Sequence, residues 1–215
     1  VFDEPWALTL INKNDLLVST KKGKLWLVKK DGTKFLIDGL PNITYGGQGG
    51  LGDILPHPNF SQNSLVYISF VASENNGRTR AAKVIRAKLE NLTLRNHQLI
   101  WEQLPQTTGR GHFSHRLAFG PTGSSHNGML FISSGDRQIM DSAQSFDNNL
   151  GKIIRLHDDG RIPEGNPFKE MGFPANTIWS LGHRNVLGIS FAPNNNLWAN
   201  EMGPLHGDEL NLISK

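Results

Sequence analysis

Cysteine is absent from the 215 residues, so neither a disulfide framework nor a thiolate metal site is available to this chain. Long hydrophobic runs are missing too. No window approaches the roughly 18 consecutive apolar residues that a membrane-spanning helix needs, so no membrane span is expected. No charged-then-apolar leader opens the sequence, and any export signal is expected to have been removed already. Charge of one sign is scarce: charged residues are 19% of the chain and the net charge is +3. The small basic excess gathers at Lys21, Lys22, Lys24, Lys29 and Lys30, where it flanks the apolar run 25–28 as the solvated ends of a hairpin. A nucleic-acid partner would need a broader basic face with aromatics presented from it, and neither is present.

What is plentiful is punctuation. With 23 glycines and 11 prolines between short apolar runs, the chain reads as strands and turns rather than long helices. Residues 6–11, 16–20, 24–28 and 34–37 form four apolar runs separated by turn residues, an up-and-down antiparallel sheet. A run like the second of these recurs, ending at Ser19, Ser69, Ser133 and Asn200, in steps of 50, 64 and 67 residues. Repeating sheet units of about 40–50 residues or more are the signature of a β-propeller, with the surplus in loops; a β-sandwich is the competing all-β arrangement. We expect one propeller domain over residues 1–215, about three and a half four-stranded antiparallel blades, as the N-terminal part of a longer ring.

Four stretches carry candidate chemistry. His112 precedes one apolar strand and Asp136 follows the next, so the hairpin can bring them to one rim. A carboxylate that accepts from one imidazole nitrogen fixes the tautomer and frees the other nitrogen to take a proton. The glycine-rich stretch 46–53 allows close backbone approach to a flat ligand, and Gln48 within it can both donate and accept. No Lys-Ser/Thr follows, so it is not a phosphate loop. Residues 179–185 offer Arg184, a planar fork suited to a carboxylate, with the Asn185 amide beside it. In 201–209 a Gly203-Pro204 turn lies among acids, and its carbonyls suit a hard cation such as calcium. Each stretch, taken alone, also suits an ordinary turn.

Taken together, these stretches resemble the soluble pyrroloquinoline-quinone (PQQ) dependent aldose sugar dehydrogenases, the glucose/sorbosone dehydrogenase group. The likeness rests on 47–51, His112 with Arg116, Gly135-Asp136-Arg137, 150–156, 182–185 and Gly203-Pro204, in the family's order from Pro5-Trp6 to 208–213. It implies a six-bladed propeller with PQQ over the channel mouth and an aldose as substrate. It further implies His112 as base, Asp136 as its orienting partner, and Gln48, Arg184, Asn185 and Gln144 as contacts to PQQ. The carbonyls of Gly203 and Pro204 would ligate calcium. A small-molecule or protein electron acceptor and a periplasmic or secreted location follow from the same likeness. Where the family commonly has glycine this chain has His115, expected to crowd the sugar pocket, and the loop 122–128 between base and partner is longer than is usual there. Two other functions fit a propeller: a non-catalytic extracellular binding module, and a metal-dependent lactonase with a cation held by side chains from several blades.

Overall fold

The turn chemistry of the first forty residues decides their structure. In the computed structural model, which describes residues 1–214, strands β1 (Pro5–Leu10), β2 (Leu16–Thr20), β3 (Lys24–Val28) and β4 (Lys34–Ile37) follow one another as an antiparallel meander. Asn12 Oδ1 accepts from the backbone N–H groups of Asn14 and Asp15 at 2.8 and 2.9 Å and closes the first turn. Gly23, at φ +94°, makes the second. Gly32, at φ +87°, makes the third, beside an Asp31 Oδ1 that accepts from Thr33 N at 2.9 Å.

Three further sheets repeat the plan. They comprise β5 (Leu51–Pro56), β6 (Leu65–Glu74), β7 (Thr79–Glu90) and β8 (Thr93–Glu102); then β9 (Ser114–Phe119), β10 (Met129–Ser134), β11 (Lys152–His157) and β12 (Ile178–Leu181). The fourth has β13 (Val186–Phe191), β14 (Leu197–Glu201) and β15 (Glu209–Ile213). The recurrent run of the sequence is the second strand of each sheet. First strands stand side by side, β1 with β5, β5 with β9 and β9 with β13, so the sheets radiate from a common axis as propeller blades.

Alternation along each strand explains why the inner blades read as almost unbroken apolar runs. In the second sheet Ile68 and Ile85 face the first blade, in one core with Leu17 and Leu25, while Tyr67 and Val84 face the third, in a core with Leu117 and Ile132. In the third, Ile132 and Ile154 face back and Phe131 and Ile153 face forward, onto Val186 and Leu197. The opposite faces of the first and fourth sheets leave Leu8, Leu36, Leu210 and Leu212 exposed.

On the axis, Arg116 joins all four first strands. Its Nε donates to Leu187 O at 2.8 Å, its Nη1 lies 3.6 Å from Asp53 Oδ1, and its guanidinium sits 5.8 Å from the Trp6 ring. His115, the neighbouring residue, is 1% exposed, with Nδ1 2.8 Å from Ser69 Oγ and its ring stacked at 15° on Trp6. Its bulk is taken up by a missing side chain. A Cβ on Gly52 would lie 2.6 Å from Ser69 Oγ and overlap the His115 ring, so the two residues are sized for each other. Gly52→Ala should therefore destabilise the protein by about 1–3 kcal/mol through overpacking, read as a lower denaturant midpoint at unchanged slope.

Candidate functional site

The segments before β5, β9 and β13 and those after β10, β12 and β14 all leave the sheets at the same end, because first strands run away from this rim and second strands run toward it. There the chain gathers His112, Asp136, Gln48, Arg184 and Asn185.

His112 is 4% exposed, and its Nδ1 lies 2.7 Å from Asp136 Oδ1. Its backbone N–H donates to Gln48 Oε1 at 2.7 Å, and Gln48 N in turn donates to Arg110 O at 2.8 Å. Gly47, at φ +58°, passes so close to Arg110 that a Cβ would meet its carbonyl oxygen. Asp136 is fixed further by Gln138 N, which donates to the same Oδ1 at 2.8 Å, and through its own N–H, which donates to Arg184 O at 2.8 Å. Left-handed backbone clusters here: His112 (φ 48°), Ser114 (56°), His115 (52°), Arg137 (56°), Gln138 (61°) and Asp141 (69°). Each such residue costs of the order of 1–3 kcal/mol, and strain of this kind persists where surrounding structure over-determines it, commonly at functional sites.

Asn185 is 1% exposed. Its Oδ1 accepts from Ser114 Oγ at 3.2 Å, and its Nδ2 has no partner among the described residues. Asn185 borders a cavity of about 180 Å³ below the rim, with Gln48, Phe113, His115 and Trp6 also on its wall. An orphaned buried donor calls for an explanation, and a ligand group is one.

Arg184 is engaged in part by the chain itself. Its Nη1 donates to Met202 O at 2.9 Å and Gly203 O at 3.1 Å, so it is docked on the very turn whose carbonyls suit a cation. That turn is folded on itself: Gly207 N donates to Pro204 O at 3.0 Å, and Gly203 N to Asp208 Oδ1 at 3.1 Å. A carbonyl oxygen has two lone pairs, so both oxygens keep capacity for a cation. Glu201 ties this turn to the Arg184 loop. Its Oε1 is 2.9 Å from His183 Nδ1 and 3.0 Å from Asn211 Nδ2, and its Oε2 accepts from Arg184 N at 2.6 Å. Burial pushes the Glu201 carboxyl up, but these donors outweigh it and hold it below the usual range.

Gln144 ends the short turn Ser142–Gln144 and is exposed beside Gly182, whose N–H donates to Ala143 O at 3.0 Å. The turn rests on Lys152, which is fully buried; its Nζ donates to Leu150 O (2.6 Å), Ser142 O (2.9 Å) and Ala143 O (3.0 Å). Burial lowers its pKa to about 8. The loop 122–128 lies at the opposite end of the β9–β10 hairpin. Its length therefore leaves the His112–Asp136 distance untouched. Two supporting cations were not singled out from sequence. Besides Lys152 there is Arg137, which is buried over the Phe113 ring at 3.7 Å and donates to Gly111 O, Arg80 O and Gly109 O. A charged residue inside an apolar run was the signal for Lys152; Arg137 has only its place after Asp136.

The family model for glucose/sorbosone dehydrogenases matches residues 2–215. The chain belongs to the glucose/sorbosone dehydrogenase family. It is 35% identical to the aldose sugar dehydrogenase YliI of Escherichia coli over 219 residues, which cover 99% of this chain and 57% of that protein. The crystal structure of the soluble E. coli aldose sugar dehydrogenase in its apo form superposes with a TM-score of 0.90 at 32% identity, over 99% of this chain and 61% of the other. The PQQ-bound aldose sugar dehydrogenase of Streptomyces coelicolor superposes at 0.85 with 28% identity, over 100% and 61%. This member of the family thus spans about three fifths of those relatives' length. Its 15 strands in 61% of the E. coli structure scale to about 25, against 24 for six four-stranded blades. Three four-stranded blades and a three-stranded one are thus part of a six-bladed propeller.

Proposed function

We propose that the protein is a PQQ-dependent dehydrogenase that oxidises the C1 hydroxyl of aldose sugars to the lactone. The observation that carries this reading is the His112–Asp136 pair at 2.7 Å, held at the rim by Gln48 beside the orphaned Asn185 amide. Asp136 accepts a hydrogen bond from Nδ1–H, which leaves Nε2 to receive the proton of the sugar hydroxyl. The carboxylate then faces the imidazolium that forms and stabilises it.

The donors present fit the cofactor. PQQ is flat and carries carboxylates, and Arg184, Asn185 and Gln48 offer a guanidinium and two amides at one rim, with Gln144 a further amide. The carbonyls of Gly203 and Pro204 are hard oxygen ligands of the kind calcium takes. Bound there, PQQ would supply the hydride acceptor and calcium a Lewis acid that needs no proton change. In this reading the protein works in the periplasm or outside the cell and passes electrons to a small-molecule or protein acceptor.

A PQQ titration of the protein with calcium present, followed optically and then challenged with an aldose panel and a redox dye, tests it. Saturable binding with dye reduction is expected; no binding by a protein that carries the complete ring would replace the enzyme reading with that of a binding propeller. Arg184→Ala should weaken PQQ binding by about 1.5–3 kcal/mol, the range for hydrogen bonds to charged groups. An unaltered affinity would remove Arg184 from the site.

A further inference from the structure

The third blade buries three cations, and the chain fills the donors of two. Lys152 has three carbonyl acceptors, and Arg137 has three carbonyls and the Gln103 side chain. Arg155 differs. It is 6% exposed, its guanidinium lies 4.2 Å from the Trp179 ring centroid, and its Nε donates to Asn166 Oδ1 at 2.7 Å. Nη1 reaches only His126 Nδ1, at 3.5 Å, and among the described residues no carboxylate pairs with the guanidinium. Burial alone lowers its pKa, as expected for a charge taken from water without a counter-charge.

The guanidinium borders a cavity of about 470 Å³, whose wall includes His126, His157, Met129, Trp179 and Glu164. This cavity lies at the far end of the blade from the cofactor rim, where β11 ends and the β9–β10 turn begins. Its size is within the range of small-molecule sites. Glu164, the carboxylate on its wall, is engaged by the Lys169 ammonium. Burial and Arg155 both lower the pKa of His126, whose Nδ1 lies toward Arg155 Nη1.

We propose that this cavity is a second binding site, for a small oxyanion, a carboxylate or a phosphate, gripped by the Arg155 fork above the Trp179 ring. A planar guanidinium matches either group bidentately, and a low-dielectric wall strengthens the pairing. Met129 and Trp179 supply apolar surface for the ligand's body. The site does not depend on PQQ or on the proposed oxidation.

Calorimetric titration of the protein with inorganic phosphate, acetate and citrate at constant ionic strength tests the proposal, with chloride as the control anion. Saturable binding of at least one of the three is expected, and the stronger arm tells phosphate from carboxylate. The same anion should raise the His126 pKa, read from its ring proton resonances. Arg155→Gln should weaken binding at least tenfold. Because that variant also loses the Asn166 and Trp179 contacts, Ser125→Trp, made at an exposed wall position, serves as an independent block with the same expected loss. Glu164→Gln should leave binding equal or tighter. Absence of saturable binding for all three anions, or binding that survives both Arg155→Gln and Ser125→Trp, would overturn the site.

Discussion

Replacing His112 by glutamine should lower turnover by about two to four orders of magnitude, the range general-base catalysis supplies, while PQQ affinity stays nearly unchanged. Glutamine keeps an N–H that can reach Asp136, and the bond from residue 112 to Gln48 Oε1 is made by the backbone, so the rim keeps its geometry. What glutamine lacks is a nitrogen that can take a proton at neutral pH. The measurement is kcat beside an optical PQQ titration on the same preparation. Unchanged turnover would sink the base assignment; turnover and PQQ affinity falling together would make His112 a binding residue. The φ of 48° at this position is tolerated less readily by glutamine than by histidine, so the thermal midpoint of the variant should be recorded with both.

The parts of the molecule legible in the sequence are those set by local chemistry. The first blade could be read strand by strand because Asn12, Gly23 and Gly32 close its turns within a few residues. The His112–Asp136 pairing was readable because a hairpin brings its two ends together whatever lies at its tip. Pairing of Leu130 with Phe119 and of Ser134 with Ser114 absorbs the loop 122–128 at the other end. Contacts made through the loops and between blades could not be read. Arg184 and the Gly203 carbonyl are 19 residues apart and meet because Glu201 binds the Arg184 backbone. Lys152 looks like a misplaced charge until the turn Ser142–Gln144 folds two carbonyls onto it beside that of Leu150. His115 looks oversized until Gly52, 63 residues earlier, is seen to have made room for it.

That same burial makes His115 a liability in acid. Its folded pKa is pushed down to about 3, first by desolvation and then by the charges of Arg116 and Arg137, from an unfolded value of 6.5. Between those two values the unfolded chain binds a proton that the folded protein refuses, so stability falls as pH drops from about 6.5 towards 3 and loses nothing more from this residue below that. Each pH unit inside the window is worth about 1.4 kcal/mol, and the whole is of the order of a few kcal/mol. Asp53, close by, works in the opposite direction. Burial raises its pKa despite Arg116 and the Leu117 N–H, so as pH falls towards the unfolded value of 3.8 the folded state takes up a proton first and gains stability. Glu201, whose folded pKa is depressed, loses its contribution as pH falls from about 4.5 through that lower value. A bare pH–stability curve therefore mixes several groups, His57 and His126 among them. The difference between the protein and His115→Gln, which can still bond Ser69, isolates the histidine. Denaturant unfolding free energies taken from pH 7 to 3.5 should fall more steeply in the parent than in the variant. Parallel curves would mean that the folded protein accepts the proton, and that the ring between Gly52 and Trp6 is reached by solvent.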